Sequence, residues 1–332
     1  MSGALPEGKV PVELLARALG GLTLPPEVRL GPAVGEDAAA IDVPAGCLVV
    51  ATDPITLTSG DLGRFSVLVN ANDVAVTGAR PRWFLAVALL PPGSTEGDVE
   101  ALFAGLHEAT AAAGVALVGG HTEVTPAVTQ PVVVGQMLGL AERVVPTAGL
   151  RPGDLVVQIG PAPVEGAAVL AREAADRPGL ADVDPGTLEA AARAVDDPGI
   201  SVVEPALLAA ELGATSLHDP TEGGVAAGLH EMARASGVGI RVDPGAVLWF
   251  EPGLAVCRAL GADPWATLAS GTLLAGFAPE AAGPALEALA AAGYRVAILG
   301  EAVAGEGVTD REGRPLAWPE RDEVARVLAG PR

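Results

Sequence analysis

Residues 61–81 read Asp-Leu-Gly-Arg-Phe-Ser-Val-Leu-Val-Asn-Ala-Asn-Asp-Val-Ala-Val-Thr-Gly-Ala-Arg-Pro. Within them Ser66, Asn70, Asp73 and Thr77 stand at offsets 0, 4, 7 and 11, which is one stripe along an α-helix. The other faces carry Phe65, Val67, Leu68, Val69, Val74, Ala75 and Val76. A stripe turned to water normally favours Glu, Lys, Arg and Ala. Ser, Asn, Asp and Thr are mediocre helix formers but good hydrogen-bonding groups. The spacing therefore predicts one buried helix over 63–79 whose polar stripe lines a cavity or an interface.

Outward from this helix, apolar strand-like runs occur at 48–52, 83–90, 115–118 and 132–140, with a second helical pattern over about 95–113. Arg151-Pro152-Gly153-Asp154 reads as a turn opening a new unit, followed by a strand at 155–159. Helices are expected near 164–175, 187–194, 203–212 and 223–235, and strands near 238–242, 272–278 and 295–299. This mixture predicts an α/β or α+β protein of two domains, 1–148 and 149–332.

Composition narrows the partners. The chain has 332 residues, half of them apolar, with 20 basic against 41 acidic side chains and a formal net charge of −21. Nucleic acid and anionic membranes are poor partners for such a surface. A nucleotide bridged by a divalent cation remains compatible. No apolar stretch is long enough for a membrane span, and the N-terminus lacks the pattern of a signal peptide. Two cysteines, Cys47 and Cys257, cannot make a disulfide framework or a zinc site alone. These features predict a soluble cytoplasmic protein. Both asparagines of the chain, Asn70 and Asn72, stand beside Asp73.

Four further motifs carry possible chemistry. Gly35-Glu36-Asp37-Ala38-Ala39 sets two carboxylates among small residues, as a metal or phosphate-linked loop or as a solvated acidic turn. Val49-Val50-Ala51-Thr52-Asp53-Pro54 ends an apolar strand on a carboxylate, suited to a site at a strand end or to an Asx-turn stopped by proline. Val118-Gly119-Gly120-His121-Thr122-Glu123 runs a strand into paired glycines that can cradle phosphate, or that simply make a tight turn. His121 and Glu123 add ligands or proton-transfer groups. In Leu217-His218-Asp219-Pro220-Thr221-Glu222-Gly223-Gly224, Asp219 or Thr221 can cap the helix at 223–235, whose N-terminus is an anion site or an ordinary cap. His121 and His218 read as loop residues, and His107 and His230 as helical ones. There is no Walker lysine motif, no Rossmann glycine fingerprint and no serine-hydrolase elbow.

Taken in order, GEDAAAID at 35–42, ATDP at 51–54, the segment 61–81, GGHTEV at 119–124, RPGD at 151–154 and HDPTEGGVAAGLHEMA at 218–233 resemble the aminoimidazole-ribonucleotide-synthetase-like (PurM-like) superfamily. This superfamily includes thiamine-monophosphate kinase, selenophosphate synthetase and the hydrogenase-maturation carbamoyl dehydratase. The last branch is the most similar, through HDPTEGG and LGADPWATLASGTLLAGF at 260–277. The resemblance implies an α+β fold with an N-terminal domain whose strands form a barrel across a homodimer, and a C-terminal α/β domain with a ferredoxin-like core. It implies ATP and Mg²⁺ in a cleft lined by the N-terminal half. Asp37, Asp53 and Asp73 then become metal and phosphate ligands, Asn70 their support, and Gly119 and Gly120 the close approach to nucleotide. Asp219 falls in the loop facing the reacting groups, and His121 takes the second catalytic position.

The same resemblance marks departures. The family usually carries a carboxylate where His121 stands, and histidine is a poor Mg²⁺ ligand. Glu222 stands where the maturation branch commonly has arginine. That branch loads its carbamoyl group on a C-terminal cysteine, whereas this sequence ends Leu328-Ala329-Gly330-Pro331-Arg332. The expectation is ATP-dependent phosphoryl transfer to an oxygen of a small or protein-borne acceptor. The alternatives are a nucleotide-binding maturation or regulatory partner without turnover, and a thiamine-monophosphate kinase.

Overall fold

The computed structural model describes residues 28–30, 35–36, 39–43, 46–55 and 61–330. In chain order the N-terminal elements are β1 (Val28–Leu30), β2 (Ala39–Val43), β3 (Gly46–Ile55), α1 (Leu62–Ala75), β4 (Arg80–Leu90), α2 (Glu96–Ala112), β5 (Ala116–Val124) and β6 (Val132–Ala141). The C-terminal ones are β7 (Leu155–Ile159), α3 (Glu165–Glu173), α4 (Pro185–Ala192), α5 (Val203–Glu211), β8 (Ser216–His218), α6 (Gly224–Ser236), β9 (Gly239–Val242), α7 (Glu251–Leu260), β10 (Leu273–Phe277), α8 (Pro279–Ala291), β11 (Val296–Val303), β12 (Gly307–Asp310) and α9 (Glu323–Ala329). The chain divides into two compact units, one built from β1 and the chain up to Val144, the other from residues 35–36 and the chain from Val145 onward.

The first unit is one six-stranded sheet in the order β1-β2-β3-β6-β4-β5. Its pairs are antiparallel except β4·β5. Alternation fixes two faces. Cys47, Val49 and Ala51 on β3, Val133, Met137 and Ala141 on β6, and Phe84, Ala86 and Ala88 on β4 are buried, and α1 packs against these three strands. Helix α1 is buried on nearly every side, as its sequence predicts, with Ser66, Asn70, Asp73 and Thr77 all inside. The opposite sheet face carries Leu48 and Val50 on β3, Leu85, Val87 and Leu89 on β4, and Val134, Leu138 and Leu140 on β6, all half-buried. No helix among the described residues covers that face.

The second unit holds another six-stranded sheet, in the order β12-β9-β11-β7-β10-β8, with only β12·β9 parallel. Helix α6 buries Val225, Leu229, Met232 and Ala233 in the core formed by Val156, Ile240, Leu274 and Leu299. The spacing of four, three and one keeps them on one helical face. Each large side chain so buried contributes roughly 1.5–3 kcal/mol. No helix of the described residues is long and apolar enough to cross a membrane.

Three local expectations are corrected. The paired glycines at 119–120 do not end the strand: β5 runs on through His121 and Glu123 to Val124. The register jumps between Phe84 and Leu85, leaving Val118 as a bulge. Gly120 permits the pairing, because a Cβ there would run into the Ala86 carbonyl oxygen. Asp53-Pro54 likewise lies inside β3, which continues to Ile55. His218 is not a loop residue but the end of β8, bonded in register with Leu274.

Candidate functional site

Asn70 organises the first site. Its side chain is fully buried, and it accepts from the Asp53 N–H at 2.8 Å while donating to the Asp53 carbonyl at 3.2 Å and the Ser66 carbonyl at 2.8 Å. Both backbone groups of Asp53 thus face away from β6, although Asp53 pairs in register with Gly135 there. Strand β2 pairs with β3 only up to Val50. The amide of Asn70 stands in for the missing strand, one donor and one acceptor against one peptide unit. The fit needs Gly135, whose Cβ would collide with Asn70 Nδ2 and approach Phe84 Cε2 to 2.8 Å.

Asp73, 8% exposed, lies one turn beyond Asn70 on α1. Asp53 shares the strand parity of the buried Val49 and Ala51, so it lies on the helix-covered side of the sheet with Asn70 and Asp73. Ser66 and Thr77 instead donate to carbonyls of their own helix, Gly63 and Val74. The predicted stripe is therefore spent mostly on backbone, with Asp73 its carboxylate.

His121 falls elsewhere. Its register partner is Val87, which pairs with Val134, which pairs with Pro54. That row belongs to the half-exposed sheet face, opposite α1. His121 Nε2 lies 3.3 Å from Glu123 Oε2, with the side chains 63% and 47% exposed, as strand residues two apart allow. Gly120 aligns with Ala86 on the helix side and Gly119 with Leu85 on the other. Within one chain the fold thus brings Asp53, Asn70 and Asp73 together and sets His121 on the other face. Asp37 lies outside the described residues. Among the described residues no group of three or more His, Cys, Asp or Glu is arranged to hold a metal ion.

The second cluster belongs to the C-terminal unit. Asp219, 2% exposed, follows β8 directly. His218 Nε2 meets Glu231 Oε2 of α6 at 2.9 Å in the interior. The next turn is tied back by the Ala269 N–H donating to the Thr221 carbonyl. Neither Asp219 nor Thr221 caps α6. Its N-cap is Gly223, in the left-handed region, and the Gly223 N–H donates to Asp322 Oδ2 at 2.7 Å. Asp322 Oδ1 accepts from Val324 N–H at 2.7 Å, so one carboxylate serves the N-termini of both α6 and α9. Burial pushes the Asp322 carboxyl up to about 7, against the two N–H bonds that favour its charged form, and Glu222 and Glu165 push the same way. Sequence reasoning missed this residue. An Asp before an apolar helical run marks the α9 cap, but nothing local indicates a contact 99 positions away. Glu36, in the acidic motif, accepts from the Ala148 N–H at 3.2 Å within this unit.

Two sheets with helices packed on them, and with carboxylate-bearing motifs on β3, α1 and the β8–α6 turn, define a two-domain α+β protein of PurM-like type. Residues 35–141 match the AIR synthase related protein, N-terminal domain, and residues 151–311 the AIR synthase related protein, C-terminal domain. The chain belongs to the AIR synthase related family. It is 33% identical to the carbamoyl dehydratase HypE of Azotobacter vinelandii over 324 residues, 92% of this chain and 87% of that protein. The crystal structure of E. coli HypE, a hydrogenase maturation protein, superposes with a TM-score of 0.71 at 26% identity, covering 90% of this chain and 95% of that one. HypE in complex with ATP superposes with a TM-score of 0.70 at 26% identity over 89% and 92% of the two chains.

Proposed function

We propose that this chain is an ATP-dependent enzyme that uses the γ-phosphoryl group to phosphorylate, and so activate, an oxygen of a small or protein-borne acceptor. The observation that carries the reading is the placement of Asp53 and Asp73 on one side of the sheet, with Asn70, one turn before Asp73 on α1, bonded to the Asp53 backbone, in a family with an ATP-bound member, HypE. The donor set fits Mg²⁺, a hard cation that takes one or two protein carboxylates and completes its shell with water and phosphate oxygens. Asp53 and Asp73 are the carboxylates assigned to it, with Asp37 as a third. When bound, Mg²⁺ neutralises charge on the phosphates. Asn70 holds the Asp53 backbone in place. Asp219, buried at the end of β8, is the acceptor-side carboxylate that takes a proton.

The reading includes a homodimer. The apolar sheet face opposite α1 and the exposed edge strand β5, with Val118 55% and Val124 57% exposed, suit a second copy of the same chain. Light scattering tests it, a monomer at micromolar concentration being the contrary result.

One observation favours a second reading, a nucleotide-binding partner without turnover. His121 stands in place of the family's carboxylate and on the face away from Asp53 and Asp73. The experiment follows ADP formation with and without Mg²⁺ against acceptors that include thiamine monophosphate. The enzyme reading expects Mg²⁺-dependent ADP that Asp73→Asn lowers by at least the roughly 10–100-fold that loss of a group merely supporting a metal ligand costs. ATP binding without ADP under any condition selects the second reading.

A further inference from the structure

The C-terminal unit holds a cavity of about 800 Å³ that involves none of the residues assigned above. It opens where β7 ends and β10 and β11 begin, and its size is that of a small-molecule site. The wall is built from backbone. A Cβ on Gly160 would stand 2.8 Å from the Gly271 carbonyl oxygen, and one on Gly271 2.7 Å from that of Gly199, with all three in the left-handed region. Three loops therefore meet closely there, as only glycine allows.

The lining combines an apolar floor with cationic and donor groups. Phe250, Ala190 and Pro198 supply apolar surface. The Arg295 carbonyl accepts from the Gly160 N–H at 2.9 Å, while its guanidinium makes no hydrogen bond or ion pair with any described residue. Arg193 has Glu189 at 3.6 Å, beyond hydrogen-bond range. The hydroxyl of Tyr294, the only tyrosine of the chain, has no partner among the described residues. Burial and the nearby Glu204 push that phenol up, so it is a neutral donor at physiological pH. In a chain of net charge −21, two arginines and a phenol converge on one cavity, and of the two guanidinium groups that of Arg295 has no acceptor among the described residues while that of Arg193 has only the distant Glu189. Asp197 and Glu189, both also on the lining, disfavour a ligand with a second anionic end.

We infer that this cavity binds a small organic monoanion or phosphate monoester, an apolar body on Phe250 and Pro198 with its anionic head on Arg295, Arg193 and Tyr294. A carboxylate and a phosphate head share this chemistry. Titration calorimetry on the full chain with phenyl phosphate, phenylacetate and benzyl alcohol separates them. Both anions are expected to bind and the neutral alcohol at least about tenfold more weakly, since a charge-assisted bond is lost. The tighter anion identifies the head group. Arg295→Gln is expected to weaken the anions about tenfold at unchanged melting temperature, because the side chain is exposed and unpaired. Arg241→Gln, an arginine of the same sheet paired with Glu301 at 3.0 Å, is expected to change nothing. No heat from either anion up to about 10 mM, or equal affinity in the parent and both Arg295→Gln and Arg193→Gln, overturns the inference.

Discussion

Replacing Asn70 by alanine removes all three side-chain hydrogen bonds that hold α1 to β3 and to its own preceding turn. The Ser66 carbonyl keeps its helical partner, but the Asp53 N–H and C=O lose theirs. They stand where β2 has already stopped and where Asn70 is wholly shielded from water. A buried backbone group left unsatisfied costs about 1–3 kcal/mol, so two such groups cost about 4 kcal/mol. For a unit of this size that is a fall of roughly 15 °C in melting temperature. Differential scanning calorimetry is the assay, because two compact units can melt as separate transitions. Asn70→Asp keeps the volume but turns carboxylate oxygens toward the Asp53 and Ser66 carbonyls. It is expected to destabilise at least as much as alanine. Had Asn70 served as a ligand-facing side chain, Asn70→Ala would lower nucleotide affinity and leave melting within about 2 °C of the parent. That outcome refutes the strand-substitute argument.

Two further predictions rest on the same kind of contact. Gly120→Ala drives a Cβ into the Ala86 carbonyl at a φ of 144°, so β5 is expected to detach locally; amide exchange over Ala116–Val124 rises by two orders of magnitude or more, about 3 kcal/mol, while β3 and β6 stay protected. Asp322, raised from 3.8 to about 7, binds its proton more tightly folded than unfolded. Stability from this group is therefore fully present below pH 4 and is lost as pH rises to about 7, a span worth about 4 kcal/mol. Asp322→Asn removes that slope, and a melting-temperature difference between parent and variant that is equal at pH 5 and pH 7.5 contradicts it.

Much of the fold was legible because it is written in local periodicity. The stripe at 66, 70, 73 and 77 announced a buried helix, and eight of the twelve described strands showed as apolar runs, while the short β1, β2, β8 and β12 did not. The Gly119-Gly120 pair misled because two glycines read as a turn on local grounds, whereas in the sheet they admit the backbone of β4 and a bulge. Asp53-Pro54 misled in the same way: proline looks like a stop until Asn70 takes over the unpaired edge.

The sequence by itself determined the family and the mixed architecture, since each depends on residue types at short spacing. Only the tertiary structure decided which of these residues share a face. Strand register sets Asp53 and His121 on opposite sides of one sheet, through pairings across Gly135, Ala86, Val134 and Val87. It likewise joined His218 to Glu231, Gly223 to Asp322, and Arg193 to the cavity of Arg295. A one-residue shift in register reverses a side chain's face, and no local pattern encodes the register between strands far apart in the chain.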